Sequence, residues 1–263
     1  MFKEIKNKEL IKRLLAILKV RDVIDSAAAL EIIVTSLAAI LKSTNMPDIS
    51  TLIKLTNFAP LKSLASLPQK DIFVLEELVT HKQETLALED IFESQIKVAR
   101  LIAPANRKRL AAYYTKPIGL RLMALLALEY AKRYERPLIL SDPFLGSGLT
   151  LSEAIKELPP SHINKIWGIE PHPLSALVAY SAVAHALKGE YQKAKIIVGD
   201  AFKMVYQTPT SQSLLSYTES YTELSKEMVP KANVILTNPP FTRWEILDKD
   251  YRVFLTKFVH ERI

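Results

Sequence analysis

Four short apolar runs, each closed by a polar residue, restrict what this chain can fold into more than any other feature. Leu138, Ile139 and Leu140 lead to Asp142, and residues 165–169 lead to Glu170. Residues 195–198 lead to Gly199 and Asp200, and residues 234–236 lead to Thr237 and Asn238. Apolar runs of this length, bounded by turn signals, read as buried strands. In an open parallel α/β sheet, ligands bind outside the carboxyl ends of the strands, so four such ends converge on one crevice. Glycine usage agrees: of six glycines in the chain, Gly146, Gly148, Gly168 and Gly199 stand beside these ends. There the backbone must turn sharply or approach a ligand closely.

The first run enters DPFLGSGLT, residues 142–150, with a helix expected from about Leu151. A strand, a glycine turn and a helix start hold a nucleotide-like ligand, because amide N–H groups without side chains in the way can face it. Asp142 adds a carboxylate at the strand's end, which suits a cationic ligand better than a phosphate. Any β-to-α connection can use two glycines for geometry alone. The succession of four polar strand ends favours a site over that plainer reading. The fourth end opens NPPF, residues 238–241.

In order, DPFLGSGLT, Gly168-Ile169-Glu170, Gly199-Asp200-Ala201-Phe202 and Asn238-Pro239-Pro240-Phe241 resemble motifs I to IV of the S-adenosylmethionine-dependent amino-methyltransferases. Upstream, Ala111-Ala112-Tyr113-Tyr114-Thr115-Lys116-Pro117 is similar to the motif that precedes motif I in DNA adenine methyltransferases of the restriction-modification type. The motif order resembles that group as well. The resemblance covers residues 107–245 and implies an α/β protein. A helical N-terminal region, 1–106, would precede a Rossmann-like methyltransferase core, 107–263, whose sheet is incomplete after the fourth strand.

The resemblance implies S-adenosylmethionine as cofactor, and the cofactor's chemistry distributes the polar groups. Its amino-acid end needs an acceptor for an ammonium, its ribose a carboxylate for the diol, and its adenine an acceptor for the amine beside an apolar wall. Asp142, with the backbone around Pro143, Phe144 and Gly146, suits the amino-acid end. Glu170 suits the ribose, and Asp200 the adenine amine with Phe202 or Ile169 against the ring. Gly148, Thr150, Pro171 and Ala201 complete the expected cofactor contacts, and by resemblance Tyr114 and Thr115 wrap the methionine end. Lys116 separates Thr115 from Pro117, where the family places proline at once. Read from the residues alone, Thr115 or Lys116 is an N-cap for a helix from 117 to about 133.

NPPF would carry the chemistry. The exocyclic amine of adenine is a poor nucleophile because its lone pair is delocalised into the ring. Acceptors for its two N–H groups, the Asn238 side-chain oxygen and the Pro239 carbonyl, favour the tetrahedral nitrogen that forms as a methyl group arrives. Pro239 and Pro240 stiffen the loop, and Phe241 stacks on a base rotated out of its duplex. The implied activity is methyl transfer to adenine N6 in DNA in a restriction-modification context. The alternatives are an RNA guanine-N2 or protein-glutamine methyltransferase, or a non-catalytic cofactor- or DNA-binding fragment. The run 234–236 before NPPF, with no later strand to pair it, would be an unprotected edge, so the chain is expected to be the front part of a longer enzyme, a split product completed by a second polypeptide supplying further strands and target recognition, or a remnant.

Composition enters as exclusion. The chain has no cysteine, which removes disulfide frameworks and thiolate metal sites. His172 lies between two prolines, but no second ligand stands at metal spacing and a methyl sulfonium needs no metal, so no metal is expected. The start is charged and the longest apolar stretch, residues 32–41, is too short to span a bilayer, which points to a soluble cytoplasmic protein. The net charge of +7 leans toward a polyanionic partner, and residues 1–116 hold 18 Lys and Arg against 13 Asp and Glu. Arg100, Arg107, Lys108 and Arg109 are the densest basic cluster. Helices are expected around residues 10–18, 24–41, 71–79 and 85–102, punctuated by Pro47 and Pro60, and again over 249–261. Residues 207–230 read as a polar insertion with a helix at 220–228.

Overall fold

A computed structural model describes residues 8–102, 117–133, 137–206, 232–239 and 244–262. Among the described residues six α-helices come first: α1 (Lys8–Ile17), α2 (Ser26–Thr44), α3 (Ile49–Leu55), α4 (Ala59–Ser63), α5 (Gln69–Thr85) and α6 (Leu88–Leu101). Helix α7 (Pro117–Arg133) leads into β1 (Leu138–Asp142), α8 (Leu149–Glu157), β2 (Ile163–Glu170), α9 (Pro173–Ala186) and β3 (Ala194–Val198). Helix α10 (Ala201–Tyr206), β4 (Val234–Ile235) and α11 (Lys249–Arg262) follow. The polar insertion expected at 207–230, with its helix, lies outside the described residues.

Local chemistry sets the helix ends. The Asp25 carboxylate accepts the amides of Ala27 and Ala28 at 2.9 and 3.0 Å and so starts α2, while Asn45, in the left-handed region at φ 54°, stops it. Asp48 caps α3 through the Thr51 amide, and Pro60 sits in the first turn of α4. Helix α2 exceeds the ten apolar residues visible in the sequence: at 19 residues it is long and apolar enough to cross a membrane, yet two thirds of its apolar window is buried inside the fold. It packs on α5, α6 and α9, so these helices satisfy its apolar surface.

The sheet is fully parallel, with strand order β3-β2-β1-β4. Asp142 is paired in register with Gly168, Glu170 with Val198, and Ser141 with Ile235. Strand residues alternate between faces, as period two demands. Leu138, Leu140, Ile166 and Ile196 join one large cluster that continues through α8 and α9 into α2 and α1. Trp167 and Ile169 point the other way, where they meet Ala201, Phe144 and Met204. The large cluster runs from Leu10 to Leu236 without interruption, and the stacked rings of Phe58 and Tyr180, 4.7 Å apart, join the helical region to α9. This is the α/β arrangement expected, with a four-stranded sheet that ends at β4 among the described residues.

Candidate functional site

The chain runs outward from β1 to β2 to β3 and then returns to the far side of β1. That reversal places a crevice between the carboxyl ends of β1 and β4, the position where open α/β sheets bind ligands. A hydrogen bond crosses it: the Thr237 hydroxyl donates to Asp142 Oδ1 at 2.7 Å. The same oxygen accepts the Phe144 amide at 3.0 Å, which opens the glycine turn. Asp142 is 1% exposed. Burial pushes its carboxyl up to about 6 against the two donors, which favour the charged form.

The turn is built by backbone bonds that the sequence could not display. The Leu145 amide donates to the Ile169 carbonyl at 3.0 Å, and the Gly148 amide to the Leu145 carbonyl at 3.0 Å. Gly148 lies at φ +78°, and a Cβ there would stand 2.9 Å from the backbone of Ala179 in α9. Glycine is required both by conformation and by helix approach. Helix α8 therefore begins at Leu149, two residues earlier than the sequence implied.

Glu170 is tied to this turn. Its Oε2 accepts the Gly146 amide at 3.0 Å and its Oε1 the His172 amide at 2.8 Å. Burial pushes the Glu170 carboxyl up to about 8, the two amides oppose this, and the nearby Asp142 carboxylate adds to the rise. Both oxygens retain a second lone pair, so the expected ribose contact could be made beside the two structural ones already present. The Gly199 amide donates to the Glu170 carbonyl at 3.1 Å and brings the third strand end alongside. There Asp200 Oδ1 accepts the amides of Phe202 and Lys203 at 3.0 and 3.2 Å, capping α10.

Of the two apolar walls expected for a base, Ile169 is buried at 2% exposure in the cluster with Trp167, whereas Phe202 is partly exposed and faces Phe144 at a centroid distance of 5.3 Å. Thr150 is buried in the first turn of α8, Ala201 lies in the small cluster, and Pro143 and Pro171 are partly exposed beside their carboxylates. Asn238 is partly exposed and Pro239 exposed, directly after Thr237. Tyr114, Thr115, Pro240 and Phe241 lie outside the described residues, as do Arg107, Lys108 and Arg109.

Three participants carried no sequence signal. Gln95 of α6 donates from Nε2 to the Ser147 carbonyl at 3.0 Å and lies 3.3 Å from Ser152 Oγ, so the helical region holds the glycine turn from behind. Thr237 stood only as a strand end. Tyr251 of α11 is partly buried near Asp200, and burial together with the Asp200 charge pushes its hydroxyl well above the ordinary pKa. The His172 ring is buried, with Nε2 3.5 Å from the Arg21 carbonyl, and burial lowers its pKa to about 4.

The residues fit a ligand of the expected kind. A buried carboxylate at the crevice suits a cation, a side-chain-free turn leaves space beside it, and Ser147 Oγ is buried with no hydrogen-bond partner among the described residues. The four polar ends are brought together as the parallel topology requires.

No protein-family model matches the chain, and no curated protein matches it. Among solved structures, a chain in the cryo-EM structure of the DrdV–DNA complex is similar over 96% of this chain, with a TM-score of 0.54 and 16% identity. This chain spans 28% of that chain's length. The likeness is one of fold.

Proposed function

We propose that this chain binds S-adenosylmethionine at the ends of β1, β2 and β3 and transfers its methyl group to the N6 amine of adenine in DNA. The observation that carries the reading is the Thr237–Asp142 hydrogen bond, which fastens the start of Asn238-Pro239-Pro240-Phe241 to the glycine turn. A binding turn and a tetrapeptide of amine acceptors on adjacent strands are what amine methylation needs. When bound, the cofactor supplies an electrophilic methyl group on a sulfonium. Asp142 accepts the ammonium of its amino-acid end, Glu170 the ribose hydroxyls and Asp200 the adenine amine. Asn238 and the Pro239 carbonyl hold the two N–H groups of the target amine, and the surplus proton passes to solvent after transfer.

DNA as the substrate is supported by the Tyr113-Tyr114-Thr115 segment, the excess of positive charge before the core, and a shared fold with a protein solved on DNA. Further strands complete the sheet beyond β4, from continuing chain or a second polypeptide that also supplies target recognition. Two apolar surfaces support this: Ile235 of β4 is 62% exposed, and α7 leaves Ile118, Leu122, Leu125 and Leu126 exposed at helical spacing.

The test is methyl transfer from labelled S-adenosylmethionine to separate pools of DNA, RNA and protein, each digested and read by mass spectrometry. N6-methyladenine from the DNA pool is expected. Label in RNA guanine or protein glutamine would refute the DNA reading. Asp142→Ala and Glu170→Ala should weaken cofactor binding, and Asn238→Ala should spare binding and abolish transfer. Equal loss of binding in all three would refute the separate roles.

A further inference from the structure

Behind the glycine turn, α6, α8 and α9 frame a recess of about 220 Å³. Leu88, Ile91, Phe92 and Ala182 form its apolar walls, with Leu88 and Phe92 exposed at the rim. An apolar cavity of about 150 Å³ holds benzene, so this one is wide enough for an aromatic ring system. Two polar groups lie inside, and both are acceptors. Gln95 is 3% exposed and its Nε2 is committed to the Ser147 carbonyl and Ser152 Oγ, while its Oε1 accepts no hydrogen bond among the described residues. The Ser43 hydroxyl gives its one hydrogen to the Ala39 carbonyl at 2.6 Å, so the His185 Nδ1–H, 3.3 Å away, donates to Ser43 Oγ and Nε2 keeps its lone pair. Burial, with the charges of Lys156, Lys42 and Lys188 around the ring, lowers the His185 pKa below its ordinary value and keeps the ring neutral.

Ser152 Oγ donates to the Leu149 carbonyl at 3.1 Å while accepting from Gln95, so it has no hydrogen left to offer. At the mouth Lys156 is paired with Glu153 at 2.6 Å and Glu89 stands on α6, so both signs of charge are present and neither is selected. A ligand that matches this lining is flat, uncharged and a hydrogen-bond donor. We propose that the recess is a second ligand site, for a neutral, nucleobase-like heteroaromatic amine whose N–H groups donate to Gln95 Oε1 and His185 Nε2 while its ring lies against Leu88 and Phe92. Gln95 joins this site to the turn. An amide whose oxygen accepts a hydrogen bond is a better donor through its nitrogen, so an occupant strengthens the hold on the Ser147 carbonyl. By reciprocity each site then favours the other's ligand. The site stands on its own residues, and the relay rests on the cofactor reading given above.

The experiment titrates adenine into the full chain, with and without S-adenosylhomocysteine, by ligand-observed NMR, beside N6,N6-dimethyladenine, benzoate and benzylamine. Adenine should bind in both conditions, and the dimethyl compound, which lacks both amine hydrogens, about tenfold more weakly. His185→Phe removes one acceptor and should weaken adenine about fivefold while leaving S-adenosylhomocysteine affinity unchanged. Adenine should tighten S-adenosylhomocysteine about two- to fivefold, a gain that Gln95→Leu removes. No adenine binding, displacement of adenine by S-adenosylhomocysteine, or equal binding of the dimethyl compound would overturn the site, and that last comparison needs only the wild type, so it decides even where a variant fails to fold. Benzoate or benzylamine binding as tightly as adenine would overturn the choice of a neutral ligand. An S-adenosylhomocysteine affinity that adenine leaves unchanged would overturn the relay alone. Adenine bound, with no binding of S-adenosylhomocysteine, would overturn the cofactor reading and the relay and leave the recess standing.

Discussion

Replacing Thr237 by Val removes one hydroxyl and keeps the side chain's shape, and its effect can be worked from the Asp142 environment. Burial holds the Asp142 carboxyl at about 6, with the Thr237 hydroxyl at 2.7 Å and the Phe144 amide at 3.0 Å pulling it down. A hydrogen bond to a charged acceptor contributes about 1.5–3 kcal/mol. At about 1.4 kcal/mol per unit, losing one raises the carboxyl by about one to two units. The ionised fraction at pH 7 then falls from about nine-tenths to between about a half and a tenth. If the carboxylate receives the ligand's ammonium, Thr237→Val should bind S-adenosylmethionine about two- to tenfold more weakly at pH 7, with the gap narrowing as pH rises. The midpoint of affinity against pH, measured by calorimetry from pH 5.5 to 8, should move upward from about 6, while Thr237→Ser should follow the wild type. A loss that is the same at every pH would show that the hydroxyl shapes the fold and does not tune the charge.

Gly148→Ala forces a side chain into the left-handed region and against Ala179 at 2.9 Å, so it should cost about 2–4 kcal/mol in urea denaturation; a change under about 0.5 kcal/mol would mean α9 yields freely. Arg13 holds the buried Asp71 carboxylate through Nε at 2.6 Å and Nη2 at 3.2 Å, and Arg13→Met should destabilise by about 3 kcal/mol by leaving that charge unpaired. Glu170 is raised to about 8 in the fold, so the folded state keeps a proton that the unfolded chain loses. Its contribution is full below about pH 4.5 and is lost by about pH 8, a few kcal/mol in all. The wild-type curve minus that of Glu170→Gln should therefore decline across this window, and a flat difference in urea midpoints at pH 5 and pH 8 would refute the assignment.

The strand ends were legible because each breaks an apolar run with a polar residue, as strands of a largely buried parallel sheet do. Helix α9 was not legible, for a related reason. Nearly all of its residues are buried, so no polar face marks a helical period. Helices α3 and α4, seven and five residues long, are too short for periodicity to register. At the site, Asp142, Glu170 and Asp200 announced themselves by position, but their partners did not. The Thr237–Asp142 bond depends on β4 lying beside β1, a matter of strand order. Gln95 and Tyr251 come from helices 52 residues before Ser147 and 51 after Asp200, and neither side chain differs from an ordinary surface residue until the chain folds.

Gln95 sets a condition on anyone who would transplant this crevice. The glycine turn belongs by sequence to the second half of the chain, yet the donor behind its Ser147 carbonyl belongs to the first, and α9 leans on α2 along much of its length. A graft cut at residue 107 would carry every motif and leave behind the wall they stand against. The smallest portable piece begins before α2, and a chimera swapping helical regions between related chains must match two surfaces, the α9 groove and the back of the turn, in one step.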